Sequence, residues 1–291
     1  MDAALWYFQA VYDYLNKTGD ADFIRDSLLP ALEQIITHYT AGTRYNIKVD
    51  RDGLLAAGAA GVQLTWMDAK VGDYVVTPRS GKPVEINALW YNALQIMAVL
   101  AERFGKDPVP YQKMAKRTRA SFVSKFSRPD GRGLFDVIEG AGPPDHAIRP
   151  NQIFAVSLPF SPLDDSAAKE IVDIAKEYLL TPYGLRTLAP GDPAYKGRYG
   201  GDQFQRDSAY HQGTVWPWLL GPFIEAHLRV YKNKSQALEF LLPLQGHLYD
   251  AGVGSISEIF SGDPPFSPEG CIAQAWSVAE VLRVWKALTT S

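Results

Sequence analysis

The sequence predicts an all-α domain of layered helices, and three observations support this fold class. Apolar residues recur at a spacing near 3.6 over most of the 291-residue chain, as on one face of an α-helix. No strand–helix–strand pattern interrupts these segments. Some of the helical segments are apolar nearly all round and others on one side only, which indicates an inner layer of buried helices wrapped by half-exposed ones.

The apolar spacing predicts eight helices and one shorter candidate. The eight cover residues 3–15, 23–40, 87–104, 111–127, 167–180, 215–231, 234–249 and 271–288, and the shorter one begins at residue 152. Asp20 precedes the second helix and the segment 164–166 (DDS) precedes the fifth, both suited to capping a helix N-terminus. Residues 87–94 and 215–224 are apolar on nearly every side, so we expect them in the core.

Composition argues against several classes of function. The chain has 29 Lys and Arg against 32 Asp and Glu, so it lacks the basic excess that a nucleic-acid partner requires. Its single cysteine, Cys271, cannot form an internal disulfide, which favours the cytoplasm. The first residues do not form a secretory leader, apolar stretches carry charge before they reach membrane-spanning length, and no two histidines are four residues apart. We therefore expect no membrane, no metal and no cofactor.

Four long loops join the predicted helices, at residues 41–86, 128–150, 181–211 and 250–270. Compact domains rarely keep loops beyond about 12–15 residues unless those loops form a site. These four are rich in Gly, Pro, Asp and Trp, so we expect them to wall a polar cleft on one face of the helical scaffold.

Two acids in these loops are candidates for a hydrolytic pair. Asp68 lies beside Trp66 and Met67, where we expect packing to desolvate it, as a general acid near neutrality requires. Glu258 lies between apolar neighbours and suits a base that activates water. Hydrolysis of a glycosidic bond uses two such carboxyls. Simpler alternatives stay open: a turn-forming Asp68, and a Glu258 that faces solvent from a strand edge.

Aromatic and hydrogen-bonding side chains near several helix starts form a candidate sugar pocket, because sugars combine flat apolar faces with rims of hydroxyls. A buried structural histidine is the alternative for His211. The candidates are Glu85, Trp90, Arg149, Asn151, Gln152, Tyr210, His211, Gln212 and Trp216.

Taken together, eight segments resemble the C-terminal amylo-α-1,6-glucosidase domain of glycogen debranching enzymes, which is similar in fold to glucoamylases. They occur in the family's order from one end of the chain to the other. The segments are 2–6 (DAALW), 64–69 (LTWMDA), 83–94 (PVEINALWYNAL), 148–152 (IRPNQ), 184–188 (GLRTL), 210–218 (YHQGTVWPW), 257–260 (SEIF) and 270–277 (GCIAQAWS).

The resemblance implies a six-hairpin glycosidase fold, an (α/α)6 toroid, here forming a single domain over residues 1–291. It implies inverting hydrolysis of α-1,6-linked glucose at branch points of glycogen or a branched oligosaccharide. Asp68 then matches the general acid and Glu258 the general base. The residues that would contact or wall the glucose are Asp2, Trp6, Trp66, Tyr210, His211 and Gln212.

Two other functions remain open beside this one. A glucoamylase-like or trehalase-like exo-glucosidase would share the scaffold and differ in pocket shape. A non-catalytic glycan-binding remnant would keep the aromatic lining without turnover.

The resemblance also implies a departure from the family. A full toroid has twelve helices, whereas eight or nine are predicted here, and the family's upstream helices have no counterpart before residue 2. We therefore expect an N-terminally truncated ring with reduced or absent hydrolysis. We also expect exposed apolar faces on helices 3–15 and 271–288, and self-association through them.

Overall fold

A computed structural model describes residues 1–290 and consists mainly of helices, as predicted. The α-helices are α1 (Asp2–Thr18), α2 (Ala21–Phe23), α3 (Leu29–Ala41), α4 (Val84–Arg103), α5 (Val109–Phe126), α6 (Phe154–Ser157), α7 (Asp165–Ile174), α8 (Gln203–Ala209), α9 (Leu220–Tyr231), α10 (Lys234–Glu239), α11 (Leu242–His247) and α12 (Ala275–Thr289). A π-helical stretch, Ile24–Leu28, joins α2 to α3, and a second, Ala175–Leu179, extends α7. Short 3-10 helices lie at Arg44–Asn46, Pro150–Ile153 and Pro217–Leu219.

Side-chain caps begin two of the predicted helices where the sequence indicates. The Asp20 carboxylate accepts a hydrogen bond from the backbone N–H of Phe23 at 3.2 Å. The Asp164 carboxylate accepts one from the N–H of Ala167 at 2.9 Å. Each cap satisfies an N–H that has no partner inside its helix, so both predicted caps are confirmed, and the helices begin at Ala21 and Asp165, two residues before the predicted starts.

The core surrounds α4, which is buried on nearly every side, as its sequence predicts. It packs against α1, α5 and α6, and one contiguous cluster of buried apolar residues extends from Leu5 in α1 to Leu288 in α12. By length and composition α4 would also pass as a membrane-crossing helix, but 89% of its most apolar window is buried inside the fold. That degree of burial is typical of a core helix.

Proline residues break two of the predicted helices. Residues 234–249 form two short helices, because Pro243 lacks the N–H that a continuous helix would need and instead stands in the first turn of α11. Residues 215–231 begin with two extended residues and a 3-10 turn that opens at Pro217, so α9 starts only at Leu220.

The all-α expectation misses a set of very short strands within the long loops. They are β1 (Lys48–Val49), β2 (Leu55–Ala56), β3 (Lys70–Val71), β4 (Tyr74–Val75), β5 (Lys82–Pro83), β6 (Val137–Ile138), β7 (Leu180–Thr181), β8 (Gly184–Arg186), β9 (Val215–Trp216), β10 (Ile259–Phe260) and β11 (Pro268–Glu269). Five of them form an antiparallel sheet in the order β11-β10-β9-β8-β7. The pair Phe260↔Val215 ties the last long loop to the segment before α9.

Candidate active site

Asp68 lies at the open side of the loop that precedes β3. Its side chain is 70% exposed, so the desolvation expected from the sequence is not found. The neighbouring backbone is nevertheless held, since the Thr77 hydroxyl donates to the carbonyl of Met67 at 3.0 Å and the N–H of Val76 donates to the carbonyl of Ala69 at 3.1 Å. The carboxylate therefore projects into solvent from an anchored loop.

His211 is the polar side chain that faces Asp68. Its Nε2 lies 3.6 Å from Oδ1 of Asp68, just beyond hydrogen-bond distance. The ring is buried and stacks on Trp216, with centroids 5.2 Å apart and planes at 16°. Burial lowers the pKa of His211 and outweighs the opposing effect of Asp68, so the imidazole is neutral at neutral pH.

Glu258 occupies a very different environment from Asp68. It is 9% exposed, and its carboxylate accepts hydrogen bonds from the Tyr210 hydroxyl and, at 2.8 Å, from the backbone N–H of Cys271. The Gln274 amide approaches the same carboxylate at 3.4 Å. Burial, and then the bond to Glu258, raise the pKa of Tyr210, so its phenol stays protonated and remains a donor. Glu258 is thus fixed in orientation by two firm donors.

The two acids meet the same pair of consecutive residues. Tyr210 donates to Glu258, and His211 faces Asp68. The rings of Tyr210 and His211 lie 4.9 Å apart. Two acids that are 190 positions apart in the sequence therefore both adjoin the short segment that contains these residues.

Aromatic rings surround this segment. Trp66 presents its edge to His211, Trp216 and Trp218 at centroid distances of 5.2, 5.6 and 5.1 Å. Trp276 stacks on Trp218 at 5.1 Å. Trp6 joins this group through Phe154, which stacks on Trp218. The result is a continuous aromatic cluster. Trp216 and Trp218 are only 2% and 7% exposed, so the rings that keep free surface for the apolar face of a sugar are Trp6, Trp66 and Trp276.

Polar side chains form hydrogen bonds with the aromatic cluster and with the segment that carries His211. The Trp66 indole N–H donates to Oδ1 of Asn151 at 2.8 Å, and the Asn151 amide donates to Asp136 at 2.7 Å. Arg149 donates to the carbonyl of His211 at 2.8 Å and to Oε1 of Gln212 at 2.6 Å. Asn151 therefore holds the loop of Asp68, and Arg149 and Gln212 hold the segment that carries His211, rather than standing free in the cleft.

Three other sequence candidates lie in the interior. Both oxygens of Glu85 face the guanidinium of Arg79, and desolvation raises the pKa of this fully buried carboxyl. Trp90 is completely buried in α4, where its indole donates to the carbonyl of Gly53 at 3.1 Å. Gln152 accepts from the N–H of Leu134 at 3.1 Å and is 3% exposed. The structure does not bring these three to the surface of the cluster.

Asp2 lies at the start of α1, beside the loop that leads to Asp68. The terminal amine of Met1 donates to the carbonyl of Leu64 at 3.1 Å, which ties α1 to that loop. The Asp2 side chain is 22% exposed and has no partner besides that amine and the N–H of Ala3 among the described residues.

Sequence reasoning missed the buried ionic group behind the site. Arg79 binds both Glu85 and Asp136, and Arg149 lies 3.9 Å from the same Asp136. Asp136 is the single acid in the apolar run 134–138 (LFDVI). An isolated acid among apolar residues is the sequence feature that could have indicated a buried charge. Arg79 carried no comparable signal. Within residues 1–290, no group of three His, Cys, Asp or Glu residues is arranged to hold a metal ion.

A helical scaffold whose loops carry two acids, a neutral histidine and a tryptophan cluster is consistent with a carbohydrate-active hydrolase. The sequence profile of the family described as amylo-alpha-1,6-glucosidase matches residues 1–283. The chain therefore belongs to this family, and it is a glycoside hydrolase. This confirms the resemblance found in the sequence.

One curated relative is the glycogen debranching enzyme of Saccharomyces cerevisiae. It is 25% identical over 338 aligned positions, which cover 94% of this chain and 22% of the yeast enzyme. The chain thus spans about a fifth of the length of that relative.

Solved structures support the helical glycosidase fold. A sialidase structure superposes with a TM-score of 0.69 at 15% identity, covering 94% of this chain and 24% of that one. A GH63 mannosylglycerate hydrolase from Thermus thermophilus, in complex with glucose, superposes with a TM-score of 0.53 at 17% identity, covering 69% of this chain and 48% of that one. At these identities the likeness concerns the fold alone.

Proposed function

We propose that this domain hydrolyses α-1,6-linked glucose at branch points of an α-glucan, with inversion at the anomeric carbon. Asp68 is the general acid and Glu258 the general base. The observation that carries the proposal is that two carboxyls in contrasting environments, one 70% and one 9% exposed, adjoin the consecutive residues Tyr210 and His211.

The chemistry assigns one proton transfer to each acid. Asp68 donates its proton to the glycosidic oxygen as the bond from that oxygen to the anomeric carbon breaks. Glu258 takes a proton from the water that attacks the anomeric carbon from the opposite face. The products are glucose of inverted configuration and a chain with a free hydroxyl, and an inverting pair leaves about 6.5–9.5 Å between the carboxyls for the water.

The surroundings of each acid suit these roles. Tyr210 and the backbone N–H of Cys271 fix the orientation of the Glu258 carboxylate by donating hydrogen bonds to it. The proton that Glu258 accepts in the reaction comes from the attacking water. The neutral His211 lies beside Asp68 without placing a full positive charge there, which would oppose protonation of the acid.

The decisive experiment compares Asp68→Asn and Glu258→Gln with the wild type on panose and a branched limit dextrin. We expect each change to lower kcat by about 10²–10⁴-fold, the usual range for loss of a general acid or base. Asp73→Asn and Glu269→Gln, which alter acids in the same two loops, serve as matched controls and should retain activity. Full activity of either Asp68→Asn or Glu258→Gln would remove the assigned mechanism.

Two alternatives are separated by the same assay. Faster release of glucose from maltose or trehalose than from panose would identify a glucoamylase-like or trehalase-like enzyme. Binding of the branched dextrin with no glucose released would identify a glycan-binding remnant. Glycogen breakdown in the cytoplasm, by a single toroidal domain, is the setting we propose for the leading function.

Self-association is proposed through α12. Its outer side exposes Leu282 (58%) and Trp285 (54%), and Ile272 just before it is 67% exposed. Leu282 and Trp285 are three residues apart on α12 and so are neighbours on its surface, and exposed apolar surface of this kind favours association. Sedimentation velocity should detect a concentration-dependent dimer that Leu282→Lys abolishes, and a wild-type monomer at all concentrations would contradict this.

A further inference from the structure

A pair of exposed aromatic rings lies outside the aromatic cluster. Tyr74 is 53% exposed at the start of β4, and Phe204 is 51% exposed in the first turn of α8. Their ring centroids are 5.8 Å apart and their planes are tilted by 41°. The amine of Lys196 lies 6.0 Å from the Phe204 ring. We call Tyr74 and Phe204 the outer aromatic pair.

Along the chain, Tyr74 lies close to Asp68, and Phe204 lies close to Tyr210, whose hydroxyl binds Glu258. Tyr74 pairs with Val71 across the β3–β4 hairpin, and Val71 is three residues after Asp68. Extended backbone geometry therefore places the Cα of Tyr74 within about 16 Å of that of Asp68. Phe204 is six residues before Tyr210 along α8, which corresponds to about 9 Å at the helical rise.

Asp68, the acid nearest to Tyr74 along the chain, lies on the open side of the site. Asp68, which the proposed mechanism places beside the leaving oxygen, is 70% exposed, whereas Glu258 is buried. The part of the substrate that leaves with that oxygen must therefore extend past Asp68 toward solvent. The β3–β4 hairpin begins two residues after Asp68, so a chain that leaves past Asp68 can pass beside it.

We propose that the outer aromatic pair binds glucose units of the α-glucan chain on the leaving-group side of the scissile bond. The inference rests on the proposed function, which defines that side. Two neighbouring rings exposed by half are costly in water unless they have a partner, and the flat apolar face of a glucose unit is such a partner. Successive units of an α-1,4-linked chain are not coplanar, which suits rings tilted by 41°. The Lys196 amine supplies donors for the hydroxyl rims.

The chain offers a matched control for this pair. Tyr14 and Phe23, at the end of α1 and in α2, are 38% and 46% exposed with ring centroids 6.0 Å apart. They carry the same chemistry on a different part of the fold. If exposed rings bind glucan nonspecifically, substitution of either pair should weaken binding equally. If Tyr74 and Phe204 form a glucan site, only their substitution should weaken binding.

The test measures glucan binding without turnover, in a Glu258→Gln background. Retardation in native gels containing glycogen, and titration with maltoheptaose, would be compared for Phe204→Ala, Tyr74→Ala, Phe204→Tyr and the control Phe23→Ala. We expect Phe204→Ala and Tyr74→Ala to weaken binding by about tenfold, the effect of losing one well-packed aromatic contact. Phe204→Tyr should restore binding, and Phe23→Ala should bind as the background protein does.

The outcomes separate this inference from the proposed hydrolysis. Unchanged binding in both alanine variants, an equal loss in Phe23→Ala, or no binding of glycogen by the background protein would each overturn the inference. If the wild type releases no glucose but Phe204→Ala still loses glycogen binding, hydrolysis fails and the outer aromatic pair stands. In an active wild type, the alanine variants should lose more kcat/KM on limit dextrin than on panose, whose leaving group has only two glucose units to place against the pair.

Discussion

Replacing Asp136 by asparagine tests the energetics of the buried ionic group. Asp136 accepts from Arg79 at 2.9 and 3.1 Å and from Asn151 at 2.7 Å, and it is 3% exposed. Together with Glu85 it balances the two guanidiniums of Arg79 and Arg149, so the group is formally neutral. Asp136→Asn leaves the volume nearly unchanged, gives the group a net positive charge, and directs an NH₂ toward the guanidinium of Arg79, which can only donate.

Removing one partner from a buried ion pair costs about 3–5 kcal/mol, because the other charge remains desolvated and unpaired. That is a large part of the roughly 5–15 kcal/mol that stabilises a typical domain. We therefore expect the urea midpoint of Asp136→Asn to fall with little change in slope. Asp26→Asn, which alters a fully exposed ion pair with Arg25, should leave the midpoint unchanged. A loss below about 1 kcal/mol for Asp136→Asn would refute this account of the group.

Two further changes test other contacts. Trp66→Phe keeps a ring in the cluster but deletes the donor to the buried Asn151, so we expect a loss of about 1–3 kcal/mol by urea unfolding; the exposed Trp285→Phe is its control, and equal effects would contradict the argument. Hydrogen bonds from Lys125 and Lys82 hold the pKa of Glu139 below its usual value. This stabilisation is complete above the unfolded pKa of about 4.3 and is lost as pH falls through the lower folded pKa. Lys82→Met should therefore flatten the fall in Tm between about pH 5 and pH 3, and an unchanged slope would show that Lys82 contributes nothing to that shift.

The long helices could be predicted from the sequence because their signal is local. The predicted segments 3–15 and 87–104 match α1 and α4 to within three residues at each end, since apolar spacing and capping act over single turns. The same reasoning failed at 234–249, where the amphipathic pattern continues but Pro243 interrupts the hydrogen bonding. A periodic pattern shows which side is buried, not whether the backbone is continuous.

The environments of the candidate acids could not be predicted in the same way. The apolar neighbours Trp66 and Met67 predicted a desolvated Asp68, but both turn inward: Trp66 donates to Asn151, and Met67 is only 1% exposed. Asp68 is left outside as a result. Whether a side chain points in or out depends on partners more than eighty positions away, such as Asn151, and no local pattern contains them.

The placement of both acids beside Tyr210 and His211 depends on a contact between two very short strands. β9 and β10 are two residues each, too short to show the alternation by which strands are recognised. Yet the single pair Phe260↔Val215 holds the last loop against the segment before α9, and this brings Glu258 within reach of the Tyr210 hydroxyl. The order of motifs in the family resemblance predicted that Asp68 and Glu258 act together. The means of joining them, one rung of antiparallel ladder between loops, follows from tertiary packing around the helices and has no signature in either loop alone.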